Sequence, residues 1–65
     1  MEKSVYQLKV EAIAAYYLQE AGYCERNPEE VEAEIWKRSE ACDSHEIEDG
    51  IKQGKEDIKK YITIK

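Results

Sequence analysis

Two cysteines and the only histidine are the residues of this chain best suited to bind a metal or to act as nucleophile and base. Cys42 and His45 stand three positions apart, and 17 residues separate Cys24 from Cys42. A structural zinc site usually takes four ligands, often as two closely spaced pairs, and this sequence offers one such pair. The pattern favours a small core cysteine at 42 and a solvated histidine. A thiol- or metal-responsive switch using Cys24, Cys42 and His45 stays as an alternative.

His45 is also the obvious candidate for a general base. Ser44 precedes it, and Asp43 and Glu46 stand close enough in the sequence to orient an imidazole. Asp43 and Glu46 have, however, the three-residue spacing of a capping box, which starts a helix. A chain of 65 residues also offers little room for a pocket that excludes water. The sequence therefore predicts a capping turn, no enzymatic activity, no cofactor and no metal.

The stretch from Val5 to Ala21 is the element that the rest of the chain must cover. One apolar stripe at helical spacing carries Val5, Leu8, Ala12 and Ala15, and a second carries Tyr6, Val10, Ile13, Tyr17 and Ala21. A helix that is apolar over most of its circumference is usually buried by neighbours on more than one side. The pattern predicts a central first helix over residues 4–21, capped by Ser4 and ended by Gly22.

The sequence Asn27-Pro28-Glu29-Glu30 marks the start of a second helix. Asparagine accepts hydrogen bonds from exposed backbone N–H groups, proline suits the first helical position, and acidic residues favour the positive end of the helix dipole. Glu30 has capping-box spacing to Asn27. The core face of this helix carries Val31, Ile35, Ser39 and Cys42, with Trp36 on the flank. We expect the helix over residues 28–42, a length of about 22 Å. Because it separates Cys24 from Cys42, an intramolecular disulfide is not expected.

A third helix is indicated by a separate apolar stripe near the end of the chain. The stripe consists of Ile47, Ile51, Gly54, Ile58 and Tyr61. At about 100° per residue it points roughly 140° away from the stripe of the second helix, so one straight helix cannot bury both. The break falls at Asp43, where the capping-box spacing with Glu46 predicts a new helix over residues 44–61.

Two features of the third helix leave alternatives open. Gly50 and Gly54 each cost about 1 kcal/mol relative to alanine inside a helix. A weak, mobile helix is favoured over a close approach of another backbone, because the GxxxG spacing is poor evidence for such contact in water. In the tail, residues 61–65, the residue types alternate and three of them are β-branched. It is compatible with fraying, with a longer helix or with a strand that pairs with a partner.

The charge balance bears on the kind of partner. Fifteen acidic and ten basic side chains give a net charge of −5, which disfavours direct binding to nucleic acid or to an anionic membrane. Acidity suits a basic protein partner, since complementary charge speeds encounter. No apolar run approaches the roughly 18 residues of a membrane span, and the first residues lack a signal-peptide core. We expect a cytoplasmic protein with reduced cysteines.

Together these patterns predict an all-α fold. We expect residues 1–65 to form a single small three-helix bundle with helix 1 central. The predicted core consists of Val5, Leu8, Ala12, Ile13, Val31, Ile35, Ile47, Ile51 and Ile58.

The aromatic residues give the strongest functional signal. Tyrosine and tryptophan are enriched at interaction surfaces, and this chain has more of them than a small core can hold. The candidates for interface residues are Tyr6, Tyr16, Tyr17 and Trp36. A position at the edge of the core, with the polar group in water, is the alternative for most of the aromatic residues. A core of this size rarely supplies more than about 3–5 kcal/mol, which favours a homodimer. The sequence predicts a small acidic accessory or regulatory protein that acts by protein–protein contact. An acidic inhibitor of a nucleic-acid-binding protein, with carboxylates in place of phosphates, is a further alternative.

Overall fold

Three α-helices and one π-helical turn make up most of the chain. The computed structural model describes the backbone of residues 3–64 and the side chains of residues 3–61. The elements are α1 (Val5–Tyr17), the π-helical turn (Leu18–Tyr23), α2 (Pro28–Arg38) and α3 (Ser44–Ile64). These residues include no strand, so the predicted all-α, three-helix architecture is confirmed.

Each helix begins where its capping residue predicts. The Ser4 hydroxyl accepts a hydrogen bond from Gln7 N at 3.1 Å, and the Gln7 side chain accepts one from Ser4 N in return. Asn27 caps α2 through its side-chain oxygen, with proline at the first position. At α3, Glu46 N donates to Asp43 and Asp43 N donates to Glu46, at 3.1 and 2.9 Å. These bonds occupy backbone N–H groups that the first turn of a helix leaves without an internal partner.

The predicted end of the first helix at residue 21 is not observed. α1 itself ends at Tyr17, the π-helical turn continues the helix to Tyr23, and Gly22 lies inside that turn without a positive φ. Glu25 instead takes the left-handed conformation, with φ of 54°. Arg26 N then donates to the Glu20 carbonyl at 3.0 Å, a bond of the kind that closes a helix C-terminus. The prediction that Gly22 stops the helix is therefore wrong.

The second helix ends at Arg38, four residues before the predicted end. Lys37 and Arg38 occupy its last turn, where basic side chains favour the negative end of the helix dipole. Ser39 is the C-cap, and Cys42 N donates to the Ser39 carbonyl in a turn. The residues predicted to extend α2 reverse the chain instead, which lets α3 run beside α1.

The third helix also extends past its predicted end at residue 61. Its backbone continues to Ile64, so the tail lengthens the helix, and Lys65 lies outside the described residues. Among the alternatives for the tail, continuation of the helix is the one observed.

Helices α1 and α3 approach each other closely at two glycines. A Cβ atom built on Gly50 would lie 2.5 Å from Ile13 Cβ, and one built on Gly54 would lie 2.8 Å from Tyr17 Cβ. Real Cβ atoms do not approach that closely, so any side chain at either position would force the helices apart. From the first pair to the second, the residue number increases by four on both helices, so α1 and α3 run parallel. Close backbone approach, the less favoured interpretation of these glycines, is therefore the correct one.

The π-helical turn keeps the first helix in contact with α3. A Cβ atom on Gly22 would lie 3.4 Å from Ile58 Cγ1, and the rings of Tyr23 and Tyr61 meet edge to face with centroids 4.7 Å apart. Successive contact residues of the first helix, Tyr17 and Gly22, are five residues apart, which is the spacing of a π-helical turn. Their partners on α3, Gly54 and Ile58, are four residues apart. The π-helical turn thus keeps Gly22 beside Ile58.

The core takes only one of the two apolar stripes of α1. The buried apolar residues are Ile13, Ala14, Tyr17, Val31, Ile35, Ile47 and Ile51, with Ile58 partly buried against them. Val5 and Leu8 are 67% and 55% exposed, and Ala12 is exposed as well. These three were predicted to be core residues and are not, because α3 packs against the stripe that contains Ile13 and Tyr17.

The molecule is flat. Its Cα atoms extend over 32 × 30 × 14 Å, and the short dimension accommodates about two helices at the usual 8–10 Å between axes. The accessible surface is 4912 Å², compared with about 4,300 Å² for a compact protein of this mass. All three helices contact one another, and the α1–α3 contact is the most extensive. That α1 is the central helix stays a prediction.

Candidate functional site

An apolar patch covers the side of α1 that faces away from the core. We call Val5, Leu8 and Ala12 the outer face; all three are exposed. At about 100° per residue they point roughly 130° away from Ile13 and Tyr17. A contiguous exposed apolar patch is a feature of interaction sites, whereas single exposed apolar residues need no explanation.

A groove between α1 and the end of α2 adjoins the outer face. This α1–α2 groove has a volume of about 430 Å³ and is lined in part by Lys9, Ala12, Tyr16, Ile35, Arg38 and Cys42. Ala12 belongs to both surfaces, so the two are continuous. Lys9 stands at the rim, where its ammonium group donates to the Ala41 carbonyl at 3.4 Å and lies 3.7 Å from Glu46. The outer face thus projects apolar side chains beside a recess with an apolar floor.

A larger groove runs along one side of the α1–α3 contact over several turns. This α1–α3 groove has a volume of about 780 Å³. Apolar side chains line it from α1 and the start of the π-helical turn, including Tyr6, Val10 and Leu18, and polar side chains line it from α3, including Asp49 and Glu56. Its two walls therefore differ in chemistry.

The structure distributes the predicted interface residues over different surfaces. Tyr6 is 41% exposed and lies in the α1–α3 groove, whereas Tyr16 is partly buried and lies in the α1–α2 groove. Trp36 is 44% exposed on α2, in a shallow depression beside α3. Tyr17 is only 2% exposed. Burial, with a smaller contribution from the Glu32 carboxylate, raises the pKa of its phenol. Tyr17 is a core residue, and its prediction as an interface residue is corrected.

A cluster around Arg26, which the sequence analysis missed, ties the π-helical turn to α2. One guanidinium nitrogen lies 2.8 Å from Glu20 and 2.7 Å from Glu34, and another lies 3.3 Å from Glu30. The Tyr16 hydroxyl donates to Glu34 at 3.4 Å. The hydrogen bond from Arg26 is the main cause that lowers the pKa of Glu34. Glu30 pairs with Arg26 in place of the capping role that its spacing suggested. The four-residue spacing of Arg26 and Glu30 was the only sequence signal of this cluster.

The residues with metal-binding or catalytic chemistry are dispersed. Cys24 is exposed and Cys42 is partly buried, and both are free thiols. His45 is exposed in the first turn of α3, between Asp43 and Glu46, whose carboxylates form the capping box. Among the described residues, no group of three or more histidine, cysteine, aspartate or glutamate side chains is arranged to hold a metal ion. The predicted capping turn is confirmed.

Comparison with known proteins adds no assignment. The chain gives no significant match to a protein family, to a characterised protein or to a solved structure. In the part of the chain that the structure describes, no helix is long and apolar enough to cross a membrane. The exposed surfaces are therefore the basis on which a function is proposed.

Proposed function

We propose that this chain is a small acidic accessory or regulatory protein that acts by protein–protein contact and forms a homodimer through the outer face of α1. The observation that carries the proposal is the exposure of Val5 and Leu8, at 67% and 55%. Each buried apolar Å² contributes about 25 cal/mol, so covering this patch stabilises an assembly. A core of this size rarely supplies more than about 3–5 kcal/mol, which makes such a contribution significant.

A second copy suits the outer face because a projecting side chain and a recess lie side by side. Leu8 is exposed one helical turn before Ala12, which lines the α1–α2 groove. In a dimer with two-fold symmetry the same patch meets itself, so the outer face of each copy meets the outer face and the adjoining recess of the other.

Sedimentation equilibrium from micromolar to millimolar protein tests the homodimer. We expect a monomer–dimer equilibrium for the natural sequence and a monomer for Leu8→Glu, because a carboxylate would be buried without a partner. Gln7→Glu is the matched control. It adds the same charge at the neighbouring position and keeps the side-chain oxygen that accepts from Ser4 N. A natural protein that stays monomeric throughout this range contradicts the homodimer, as does a Leu8→Glu variant that dimerises like the control.

The proposed location is the cytoplasm, where we expect Cys24 and Cys42 to stay reduced. Of the alternative functions, the acidic inhibitor of a nucleic-acid-binding protein has an observation in its favour, the carboxylates along the α1–α3 groove. The thiol- or metal-responsive switch gains no comparable support from the described residues.

A further inference from the structure

An apolar stripe runs along the α1 side of the α1–α3 groove, beside the polar side chains of Gln7 and Glu11. Tyr6, Val10, Ala14 and Leu18 line it at four-residue intervals. Residues four apart lie on the same side of a helix, so these side chains form a continuous stripe. Tyr6 is exposed, Val10 and Leu18 are partly buried, and Ala14 is buried. The stripe thus has accessible apolar atoms at both ends and a small residue between them, which leaves space for an incoming side chain.

The α3 wall and the rim are acidic. Asp49, Glu56 and Asp57 line the groove from α3, and Glu11 lines it from α1. Lys52 is the one basic residue among the groove residues. Asp49 and Glu56 are exposed, so their carboxylates are accessible to a partner, whereas the Glu11 carboxylate pairs with Lys3 at 2.7 Å. The groove therefore combines an apolar stripe on the α1 side with carboxylates along α3.

The length of the groove fits a helix of about three turns. Tyr6 and Leu18 are twelve residues apart on α1, which corresponds to about 18 Å. The groove lies on one side of the α1–α3 contact, and α2 covers the other side through Val31 and Ile35, which belong to the same buried cluster as Ile13 and Ile51. A helix in the groove would face α1 and α3 as α2 does on the opposite side.

The chemistry of the two walls specifies the occupant. A helix seated there must carry an apolar stripe toward α1 and basic side chains toward α3, the pattern in which an amphipathic helix occupies a groove. A second copy of this acidic chain would bring carboxylates against carboxylates, and a nucleic acid would bring phosphates. The net charge of −5 adds long-range attraction for a basic segment, which speeds its association.

We propose that the α1–α3 groove binds a basic amphipathic helix of a partner protein. The inference deepens the proposed function, on which it rests, by giving the chemical class of a partner other than a second copy. The carboxylates of the groove are not part of the outer face, through which the homodimer is proposed to form. Loss of the homodimer and loss of helix binding are therefore measured by different variants.

The test uses a fluorescein-labelled peptide of about 14 residues, built from leucine and lysine with helical amphipathic spacing. Its binding to the full chain is measured by fluorescence anisotropy. A scrambled peptide of the same composition keeps the charge and loses the stripe. We expect the amphipathic peptide to bind at least about tenfold more tightly than the scrambled one, a difference of about 1.4 kcal/mol. Added salt should weaken binding, because the carboxylates at the rim are exposed.

Paired charge reversals locate the site. Asp49→Lys with Glu56→Lys removes two groove carboxylates, and Glu25→Lys with Glu40→Lys changes two exposed carboxylates elsewhere by the same total charge. We expect at least about tenfold weaker peptide binding for the groove pair and less than about twofold for the control pair. Asp49→Asn with Glu56→Gln is a milder version if the reversed pair does not fold. Circular dichroism checks the helix content of every variant.

Three outcomes overturn the proposal: no binding, equal binding of the scrambled peptide, or equal weakening by the two charge-reversed pairs. The last two would show that only net charge attracts the peptide. Leu8→Glu separates this proposal from the homodimer, since we expect it to abolish dimerisation and to retain peptide binding. If Leu8→Glu and the natural protein both remain monomeric but bind the amphipathic peptide as expected, the homodimer fails and the groove proposal stands.

Discussion

The two sides of α1 are both apolar in sequence, yet one is buried and the other is exposed. On the core side, Ile13 and Tyr17 are 7% and 2% exposed and face Gly50 and Gly54 of α3. On the outer face, Leu8 and its neighbours are exposed. Apolar content alone does not distinguish these sides. The difference lies on the opposing helix, whose glycines let α3 approach one side of α1 at very short distance.

Truncation of one large apolar residue on each side tests this comparison most strongly. Ile13→Ala should lower the free energy of unfolding by about 2–4 kcal/mol, because it leaves a cavity in the core. Leu8→Ala should lower it by less than about 1 kcal/mol in the monomer, because over half of the Leu8 surface is already in water. Urea denaturation, on protein dilute enough to be monomeric by sedimentation, measures both values.

A core that supplies only about 3–5 kcal/mol can be lost altogether in Ile13→Ala. Ile13→Val, with an expected cost of about 0.5–1.5 kcal/mol, gives a folded reference for the same position. Equal losses for Leu8→Ala and Ile13→Ala would mean that the outer face is as buried as the core side, and the comparison would be wrong.

A methyl group added on α3 tests the glycines themselves. Gly50→Ala gains about 1 kcal/mol in helix propensity, but its Cβ would lie 2.5 Å from Ile13 Cβ and 3.2 Å from the Val10 carbonyl oxygen. We expect a net loss of about 1–3 kcal/mol in the free energy of unfolding, since the two helices must separate. Thermal and urea denaturation measure this loss.

Gly22→Ala is the matched control for that substitution. Its Cβ would meet the flexible ends of Leu18 and Ile58 at 3.2 and 3.4 Å, so small side-chain movements relieve the contact. We expect a change within about 0.5 kcal/mol. If Gly50→Ala stabilises the protein like a simple gain in helix propensity, close approach does not determine which side of α1 is buried.

The starts of the helices were predictable because each depends on a few adjacent residues. Ser4, Asn27 and Asp43 all cap the helices that their positions indicate. The ends were not predictable from the same kind of signal. The end of α2 at Arg38 depends on a turn that directs α3 beside α1, and the residue that closes the first helix is Glu25, a type that rarely takes the left-handed conformation.

The core of α2 and α3 was predictable for a related reason. Each of these helices has one apolar stripe, so Val31, Ile35, Ile47 and Ile51 had only one side on which to be buried. α1 has two apolar stripes, and which of them is buried depends on the side that α3 can approach. Tyr6 and Trp36, predicted as interface residues from residue type alone, are exposed, but Tyr17, predicted on the same ground, is buried. The grooves were not, because they depend on how α1 is rotated relative to its neighbours.

The smallest expected effect concerns the contact at the border between the two sides. Tyr16 lies next to the outer face, and its hydroxyl donates to Glu34, which also accepts from Arg26. The Arg26 hydrogen bond lowers the pKa of Glu34 in the folded state. The unfolded chain therefore binds a proton at this carboxylate more readily than the folded chain does. This contribution to stability is present above the unfolded pKa of about 4.3 and is lost as pH falls through the lower folded pKa.

Glu34→Gln removes the part of the pH dependence of stability that comes from this carboxylate. We expect the variant to be less stable than the natural protein at pH 7, and the difference to shrink as pH falls below about 4. Urea denaturation over a series of pH values measures the curve. Glu40→Gln, which removes an exposed carboxylate in the turn after α2, is the control and should give a curve parallel to that of the natural protein. A Glu34→Gln curve that is also parallel would show that Arg26 and Tyr16 do not hold α2 at this border through the charge of Glu34. The boundary between the two sides would then depend on apolar contacts, chiefly those of Ile13 and Ile35.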